Sequence, residues 1–179
     1  MERPFIIQHP TFQDERGNFC SIQTNMIKDV RLDKNWVQVN TSISHEPYTI
    51  RGMHFQINGF EQTKYLKVVW GKIINFIICV DNKLPDFGEK YFFEVDKNQA
   101  VLVPKGYANA LITLEPNTII QYFVDNSYSK EHDQSLKWDS HPEIKSIVNR
   151  LTYSPTISEK DENGFLWDDL VSEKYHIHS

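Results

Sequence analysis

Short runs of β-branched and aromatic residues, broken at regular intervals by turn-forming residues, dominate the chain from residue 36 to residue 125. The segment WVQVNTSIS (36–44) alternates, as a half-buried strand does. Further segments of strand-like composition follow at similar spacing: TKYLKVVWG (63–71), KIINFIICVD (72–81), YFFEVD (91–96), QAVLVP (99–104) and NTIIQYFVD (117–125). Because long helical patterns are scarce, these segments predict a mainly β protein.

Turn-forming residues separate the predicted strands. They occur at Asn58-Gly59, Pro85-Asp86, Lys97-Asn98, Pro104-Lys105-Gly106 and Pro116-Asn117. Many short strands at this spacing are typical of an antiparallel sandwich or barrel, and jelly-roll closure is one good solution.

The chain becomes polar and rich in turn residues from about residue 139. HPEIKSIVNR (141–150) and FLWDDLVSEK (165–174) have the pattern of short helical turns. The sequence contains no internal repeat and no low-complexity linker. We therefore expect a single domain over residues 1–179, with short C-terminal helical segments packed on the β-structure.

Composition excludes several classes of partner. The net charge of −5 offers no overall attraction to nucleic acid or to an anionic membrane, so any phosphate contact must come from a few local Lys and Arg side chains. No stretch approaches 18 apolar residues, and the start MERPFIIQHP has no long apolar segment, so neither a membrane span nor secretion is predicted.

The two cysteines, Cys20 and Cys79, are typical of thiols in a reducing compartment, although a disulfide between them stays open. We expect a cytoplasmic protein.

His54 is the first candidate for chemistry. It lies in IRGMHFQ (50–56), after the turn-like segment HEPYT, where a strand would begin. A lone His is more often a hydrogen-bonded structural group. However, Arg51 and Lys64 are close along the chain, and two cations would repel a third positive charge and favour the neutral, basic imidazole. Such a His could remove a proton that a substrate carbonyl makes acidic.

A metal-binding cupin is the barrel alternative to a His base. Its first motif offers two His, but the matching place here is His54-Phe55-Gln56, and the later place, GYANAL (106–111), contains Asn109 instead of a His. A transition-metal site needs about three protein ligands, and only one candidate remains. The other His residues have no coherent ligand spacing: His132, His141, His176 and His178. We predict no metal.

Other polar residues could act with His54. Tyr122 and Tyr128 lie near the end of a strand, where Tyr usually serves packing, but a phenol facing a polar cavity could donate a proton opposite a His base. Asp161, in SEKDENG, would ordinarily be a surface turn residue; its functional use would be to hold His54 in the right tautomer. Arg16 could cap a loop or contact phosphate.

Together these segments resemble the dTDP-4-dehydrorhamnose 3,5-epimerase family. The matching pieces occur in family order over residues 10–165: FQDERGNF, QVNTS, IRGMHFQ, KYLKVVWGKI, DNKLPDFG, LVPKGYANAL, QYFVDNSYSKEHDQSLKWD and ISEKDENG. The set RGxHxQ, VPxGYA, Tyr and EH…WD is specific in combination. The resemblance implies a jelly-roll cupin β-barrel that acts as a homodimer without a metal or organic cofactor.

The resemblance also implies roles for individual residues. The family's catalytic His matches His54 and its dyad Asp matches Asp161. The Lys near the oxyanion matches Lys64, and the tyrosine acid matches Tyr122. Contacts to substrate or nucleotide are expected from Arg16, Gln38, Asn40, Arg51, Asn109, Tyr128 and Glu131. Trp138 is expected as a neighbour of these contacts.

The implied reaction is the epimerisation of a 4-keto-6-deoxy sugar held on a nucleoside diphosphate, in the synthesis of deoxysugars for O-antigen or other surface polysaccharides. A 4-ketone acidifies the C–H bonds at C3 and C5, and loss of either proton gives an enolate. His54 would take the proton, Tyr122 would return one to the opposite face, and Lys64 would stabilise the oxyanion. Arg51 and Arg16 suit the diphosphate because guanidinium groups match phosphate oxygens.

Two departures from the family pattern leave the substrate open. Asn109 stands where family members usually carry a His, and Cys20-Ser21 replace a glutamate commonly found shortly after DERG. The nucleotide (dTDP, GDP or CDP), the sugar and the number of inverted carbons therefore stay open. The alternatives are a 3,4-ketoisomerase acting on a similar substrate and a nucleotide-sugar-binding cupin without activity.

Overall fold

The structure is a computed structural model that describes residues 3–21, 35–152 and 154–172. Its strands are β1 (Phe5–Gln8), β2 (Thr11–Asp14), β3 (Gly17–Cys20), β4 (Gln38–Ser44), β5 (Ile50–Gln56), β6 (Lys64–Trp70), β7 (Lys72–Cys79), β8 (Lys90–Asp96), β9 (Gln99–Val103), β10 (Tyr107–Thr113), β11 (Thr118–Val124) and β12 (Asp133–Ser135). Its helices are a 3₁₀ helix (Trp138–Ser140), α1 (Pro142–Leu151), α2 (Glu159–Glu162) and α3 (Trp167–Val171). The predicted mainly β chain with short C-terminal helices is confirmed.

The strands form two five-stranded antiparallel sheets. The first sheet has the order β1-β9-β6-β11-β4, and the second has the order β12-β5-β10-β7-β8. Strands β2 and β3 pair separately as a hairpin. Within the described residues no hydrogen-bonded strand pair joins the two sheets, so the jelly roll consists of two facing sheets and not of a closed hydrogen-bonded barrel.

Two apolar layers hold the sheets in place. Leu66 and Ile120 of the first sheet meet Ile77 and Leu111 of the second in the layer between the sheets. The outer face of the second sheet is covered by α1 and α3. Because β10 is buried on both faces, its sequence lacks the alternation of a half-exposed strand.

The C-terminal helices follow from local sequence signals. Helix α1 has Pro142 in its first turn and buries Ile144 and Val148, which are four residues apart and therefore share one face. In α2, the Ser158 side chain caps the helix by accepting a hydrogen bond from the backbone N–H of Asp161. These helices confirm the predicted turns in 141–150 and 165–174, of which residues 173–174 lie outside the described residues.

The structure also bears on several other expectations from the sequence. Cys20 and Cys79 are both free, which settles the question of a disulfide between them. In the described ranges no helix is long and apolar enough to cross a membrane. In the same ranges no three His, Cys, Asp or Glu side chains cluster closely enough to hold a metal ion. His176 and His178 lie outside the described residues.

Candidate active site

A cavity of about 580 Å³ opens between the two sheets. Strands from both sheets line it, and the segment around α2 closes one side. Among the residues that the sequence predicted for a site, the cavity is lined by Asn40, Arg51, His54, Lys64, Asn109, Tyr122, Tyr128 and Asp161. The fold therefore brings all four predicted catalytic side chains to one place.

His54 and Asp161 form a hydrogen-bonded pair in this cavity. The Nε2 atom of His54 lies 2.6 Å from Oδ1 of Asp161, although the residues are 107 positions apart in the chain. Burial opposes ionisation of Asp161, but the hydrogen bonds from His54, the Gly52 N–H and Ser158 outweigh burial and lower the carboxyl pKa. An ionised carboxylate only accepts hydrogen bonds, so Nε2 of His54 carries a proton, and in the neutral imidazole the lone pair is on Nδ1. This is the tautomer that a general base requires.

Gly52 allows the Asp161 carboxylate to be held from two sides. Its backbone N–H donates to Oδ2 of Asp161 at 3.1 Å. Gly52 has φ +109°, and a Cβ there would overlap the carbonyl oxygen of Asn109 and lie 2.8 Å from Cα of Ala110. Only glycine lets β5 pass this close to β10 in that conformation. The glycine thus fixes both the strand and the carboxylate that orients His54.

Lys64 brings an ammonium group to the same region. Its Nζ donates to the backbone carbonyl of His54 at 3.2 Å. Burial lowers the pKa of Lys64 to about 8, Asp133 opposes this shift, and Lys160 adds to it. The group is therefore mostly protonated at neutral pH and loses its charge within one to two pH units above it. A cation here could stabilise a developing oxyanion.

Tyr122 lies on the first sheet, across the cavity from His54. It belongs to β11, whereas His54 belongs to β5 of the second sheet. Its hydroxyl oxygen lies 3.3 Å from Oγ of Ser42. Burial raises the pKa of the phenol, while Ser42 and Arg51 partly oppose the increase. The phenol therefore stays protonated and can act as a proton donor.

The cavity rim contains a charged group that sequence reasoning missed. The hydroxyl of Tyr128 donates to Oδ2 of Asp133 at 3.1 Å, and Lys160 forms an ion pair with the same carboxylate. The sequence offered one indication that Lys160 lies near the site, since it directly precedes the predicted Asp161.

Arg51 is held in place by two hydrogen bonds. Its Nε donates to Oγ of Ser44 at 3.1 Å, and a terminal NH₂ group donates to the main-chain carbonyl of Ile43.

Four predicted residues lie outside the cavity lining. Arg16 stands in the β2–β3 turn, where it forms an ion pair with Asp14 and its side chain is 85% exposed. Gln38 borders the site, since its Nε2 donates to Oδ1 of the cavity residue Asn40 at 2.7 Å. Glu131 is exposed before β12, and Trp138 packs against the core beneath α1 and α3. Their proposed contacts with substrate stay predictions.

The arrangement suits proton transfer at a carbon acid. An imidazole with an available lone pair is provided by the second sheet, and a protonated phenol is provided by the first. A carbonyl compound bound between them could lose a proton to one face and gain a proton at the other, with Lys64 available for the negative charge on oxygen.

Known proteins are similar to this chain in sequence and in fold. The family model for dTDP-4-dehydrorhamnose 3,5-epimerase matches residues 1–169. The dTDP-4-dehydrorhamnose 3,5-epimerase of Sinorhizobium fredii is 34% identical over 161 residues, which are 88% of this chain and 82% of that protein. A dTDP-4-dehydro-6-deoxyglucose 3-epimerase from a Streptomyces species is 28% identical over 71% of this chain and 64% of its own length.

A solved structure agrees with these relatives. The crystal structure of the Bacillus anthracis dTDP-4-dehydrorhamnose 3,5-epimerase, which contains TDP and PPi, superposes with a TM-score of 0.80 at 32% sequence identity. The match covers 91% of this chain and 93% of that one. From its sequence, its fold and the family model, this chain belongs to the dTDP-4-dehydrorhamnose 3,5-epimerase family.

Proposed function

We propose that the protein inverts C3, C5 or both of a dTDP-linked 4-keto-6-deoxy sugar through an enolate. His54 is the base, Tyr122 is the acid on the opposite face, Lys64 stabilises the enolate oxygen, and Asp161 keeps His54 in its basic tautomer. The reaction belongs to deoxysugar biosynthesis.

The observation that carries this proposal is the placement of His54 and Tyr122 on opposite walls of one cavity. Inversion requires a proton to leave one face of a carbon and another to arrive at the other face. A base and an acid on the same wall would return the proton to the face that it left. Two facing sheets provide the two walls, and Lys64 lies beside the base.

The nucleotide follows from the relatives. The S. fredii and B. anthracis proteins are named for a dTDP-sugar, and the latter structure contains TDP. The Streptomyces relative is named for inversion at C3 alone. The number of inverted carbons is therefore the open part of the proposal, and it depends on how the sugar can turn in the cavity.

A substrate panel tests the proposal. Purified protein is incubated with the dTDP-, GDP- and CDP-linked 4-keto-6-deoxy sugars, and the products are identified by NMR. The expected result is inversion at C3, C5 or both of the dTDP sugar, with slower or no turnover of the other nucleotides. Migration of the carbonyl to C3 would instead show a ketoisomerase. Binding without any turnover would show a nucleotide-sugar-binding protein.

The active form is proposed to be a homodimer. Among the described strands, β4 is an edge of the first sheet. The outward-facing Val39 and Ile43 are half exposed, as is Val37 just before the strand. The β2–β3 hairpin exposes Phe12 and Phe19, whose rings pair with each other. Exposed apolar side chains along a sheet edge are typical of a surface that another chain covers. A second copy would bury them.

The cytoplasm is the proposed location. Both cysteines are free, and Cys79 is fully buried next to Asp86, which fits a compartment that keeps thiols reduced. Immunodetection in separated cell fractions would test this location.

A further inference from the structure

Two buried carboxamides lie side by side next to the proposed base. Asn109 of β10 is paired directly with His54 of β5, and its side chain lines the cavity. Asn75 of β7 is fully buried on the neighbouring strand, on the same inner face as Ile73 and Ile77. An amide in this apolar layer is costly unless its polar atoms are hydrogen-bonded, so its contacts matter.

The hydrogen bonds of Asn75 determine which way both amides are oriented. One Asn75 N–H donates to the backbone carbonyl of Ala110 at 2.7 Å, and a carbonyl can only accept, so this end of Asn75 must be nitrogen. The same nitrogen lies 2.8 Å from the Asn109 side chain, to which it donates its second N–H. The Asn109 atom that receives this hydrogen bond must therefore be the oxygen Oδ1. The Nδ2 group is left as the free end of an amide that lines the cavity.

From this geometry we infer that Asn109 is a fixed hydrogen-bond donor to the 4-oxygen of the sugar, and that Asn75 is the positioning residue that sets its orientation. The inference rests on the proposed function. His54 must reach a carbon adjacent to C4, and Asn109 lies directly opposite His54 on the next strand. The Lys64 ammonium contacts the main chain of His54. Both donors therefore lie beside the base, where the 4-oxygen gains charge.

The free-energy cost of burying the Asn75 amide supports a functional role for this residue. Its Oδ1 is buried and has no hydrogen-bond partner among the described residues. An unpaired buried acceptor destabilises a fold, and an aliphatic residue would avoid it. The Asn75–Asn109 pair is also neutral at every pH at which the protein is folded. It therefore supplies a donor whose strength does not change with pH.

Steady-state kinetics with the dTDP-linked 4-keto-6-deoxy sugar tests the donor. Asn109→Leu keeps a similar volume and removes the N–H groups, so kcat should fall about 10²-fold with KM little changed, as expected for a donor that acts on the transition state. Asn109→His should add the ionisation of a second imidazole to the pH–rate profile, beside the one that His54 contributes in the wild type. A wild-type rate in Asn109→Leu would overturn the inference.

A double-variant comparison tests Asn75. Asn75→Leu should lower kcat about 10-fold or more, because Asn109 can then turn its oxygen to the cavity. In an Asn109→Leu background the same change should have no further effect, since Asn75 acts only through Asn109. Ile73→Val, which shortens a side chain on the same face of β7 and leaves both amides in place, is the matched control and should keep the wild-type kcat.

The outcomes separate the two proposals. Equal losses from Asn75→Leu in both backgrounds would overturn the positioning role and leave a structural one. If Asn75→Leu does not fold, as seen by thermal unfolding, Asn75→Ala serves in the same comparison. A wild-type protein that turns over no nucleotide sugar would refute the proposed function itself, whereas an active wild type with an unaffected Asn109→Leu would refute only this inference.

Discussion

The hydroxyl of Tyr122 is the group whose removal should separate proton loss from inversion. Tyr122→Phe keeps the partly buried ring and removes the acid, so product formation should fall by about 10²- to 10⁴-fold. His54 can still remove the substrate proton and return a solvent deuteron to the same face. NMR in D₂O should therefore show exchange at the sugar carbon without inversion.

Ser42→Ala is the control for Tyr122→Phe. It removes the hydrogen bond to the phenol but leaves the acid in place, so it should have the smaller effect. If Tyr122→Phe formed product at the wild-type rate, Tyr122 could not be the acid.

The pKa of Lys64 predicts an alkaline limit to activity. Burial lowers this pKa to about 8, so the ammonium loses its proton as pH rises through that value and the enolate loses its cation. The value of kcat/KM should fall above about pH 8. Lys64→Arg, whose guanidinium stays charged, should move this alkaline decrease in kcat/KM to higher pH in a pH–rate profile. A decrease at the same pH in the variant would show that another group causes it.

The same pKa shift predicts an effect on stability. Below about pH 8 the unfolded chain binds this proton more tightly than the folded chain does, so Lys64 costs stability there. The cost falls as pH rises from about 8 towards 10.5, the ordinary value. Lys64→Met should therefore raise the Tm at pH 7 while it lowers activity, which calorimetry and kinetics on one preparation can show.

At the scale of elements, α2 carries Asp161 to β5. Asp161→Asn can keep one oxygen for the Gly52 N–H, but its NH₂ group then faces His54 and forces the other tautomer. Activity should fall by about 10²- to 10⁴-fold with little change in Tm.

Ser158→Ala is the element-scale control for Asp161→Asn. It removes the cap of α2 and should cost about 1 kcal/mol of stability with a smaller loss of activity. An Asp161→Asn protein as active as Ser158→Ala would show that the carboxylate does not set the tautomer.

Element prediction from the sequence worked where the local pattern was strong. The runs 63–71 and 72–81 became β6 and β7, because their β-branched and aromatic residues favour strands. Strand β10 was not predicted, since Gly106, Ala108 and Ala110 give a weak strand pattern. Ala110 lies where β5 passes close by at Gly52, and both alanines pack in the apolar layer beneath the helices.

The residues of the candidate site were harder to predict from local sequence patterns than the strands were. No spacing rule joins His54 to Asp161, because their contact depends on how the C-terminal segment docks on β5. Local reasoning offered the pairing only as an alternative to a surface turn at Asp161, and the family resemblance favoured the pairing. Asn75, Asp133 and Lys160 were missed because each looks like an ordinary polar residue until the fold shows its partners.

At the scale of the whole molecule, the exposed edge of the first sheet predicts dimerisation. Sedimentation equilibrium of the wild type should give twice the chain mass of 21.1 kDa. Val39→Glu places a charge in the apolar surface at β4 and should shift the mass to that of one chain. Val171→Glu, at an equally exposed valine of α3, should leave the mass unchanged. A monomeric wild type at micromolar concentration would contradict the dimer.

Residues 1–179 are expected to act as one domain, so the whole chain is the appropriate protein for each of these measurements. The two sheets share one apolar layer, and the C-terminal segment supplies both a cover for the second sheet and the partner of the base. Removing that segment would therefore affect both the core and the chemistry.

Deuterium uptake by a dTDP-linked 4-keto-6-deoxy sugar in D₂O, compared between the wild type and His54→Asn, tests the central claim most directly. The wild type should introduce deuterium at C3, C5 or both. His54→Asn should still bind dTDP but exchange at least about 10³-fold more slowly, because the imidazole lone pair that takes the proton is removed. Deuterium uptake by His54→Asn at a rate near that of the wild type would contradict the assignment of His54 as the base.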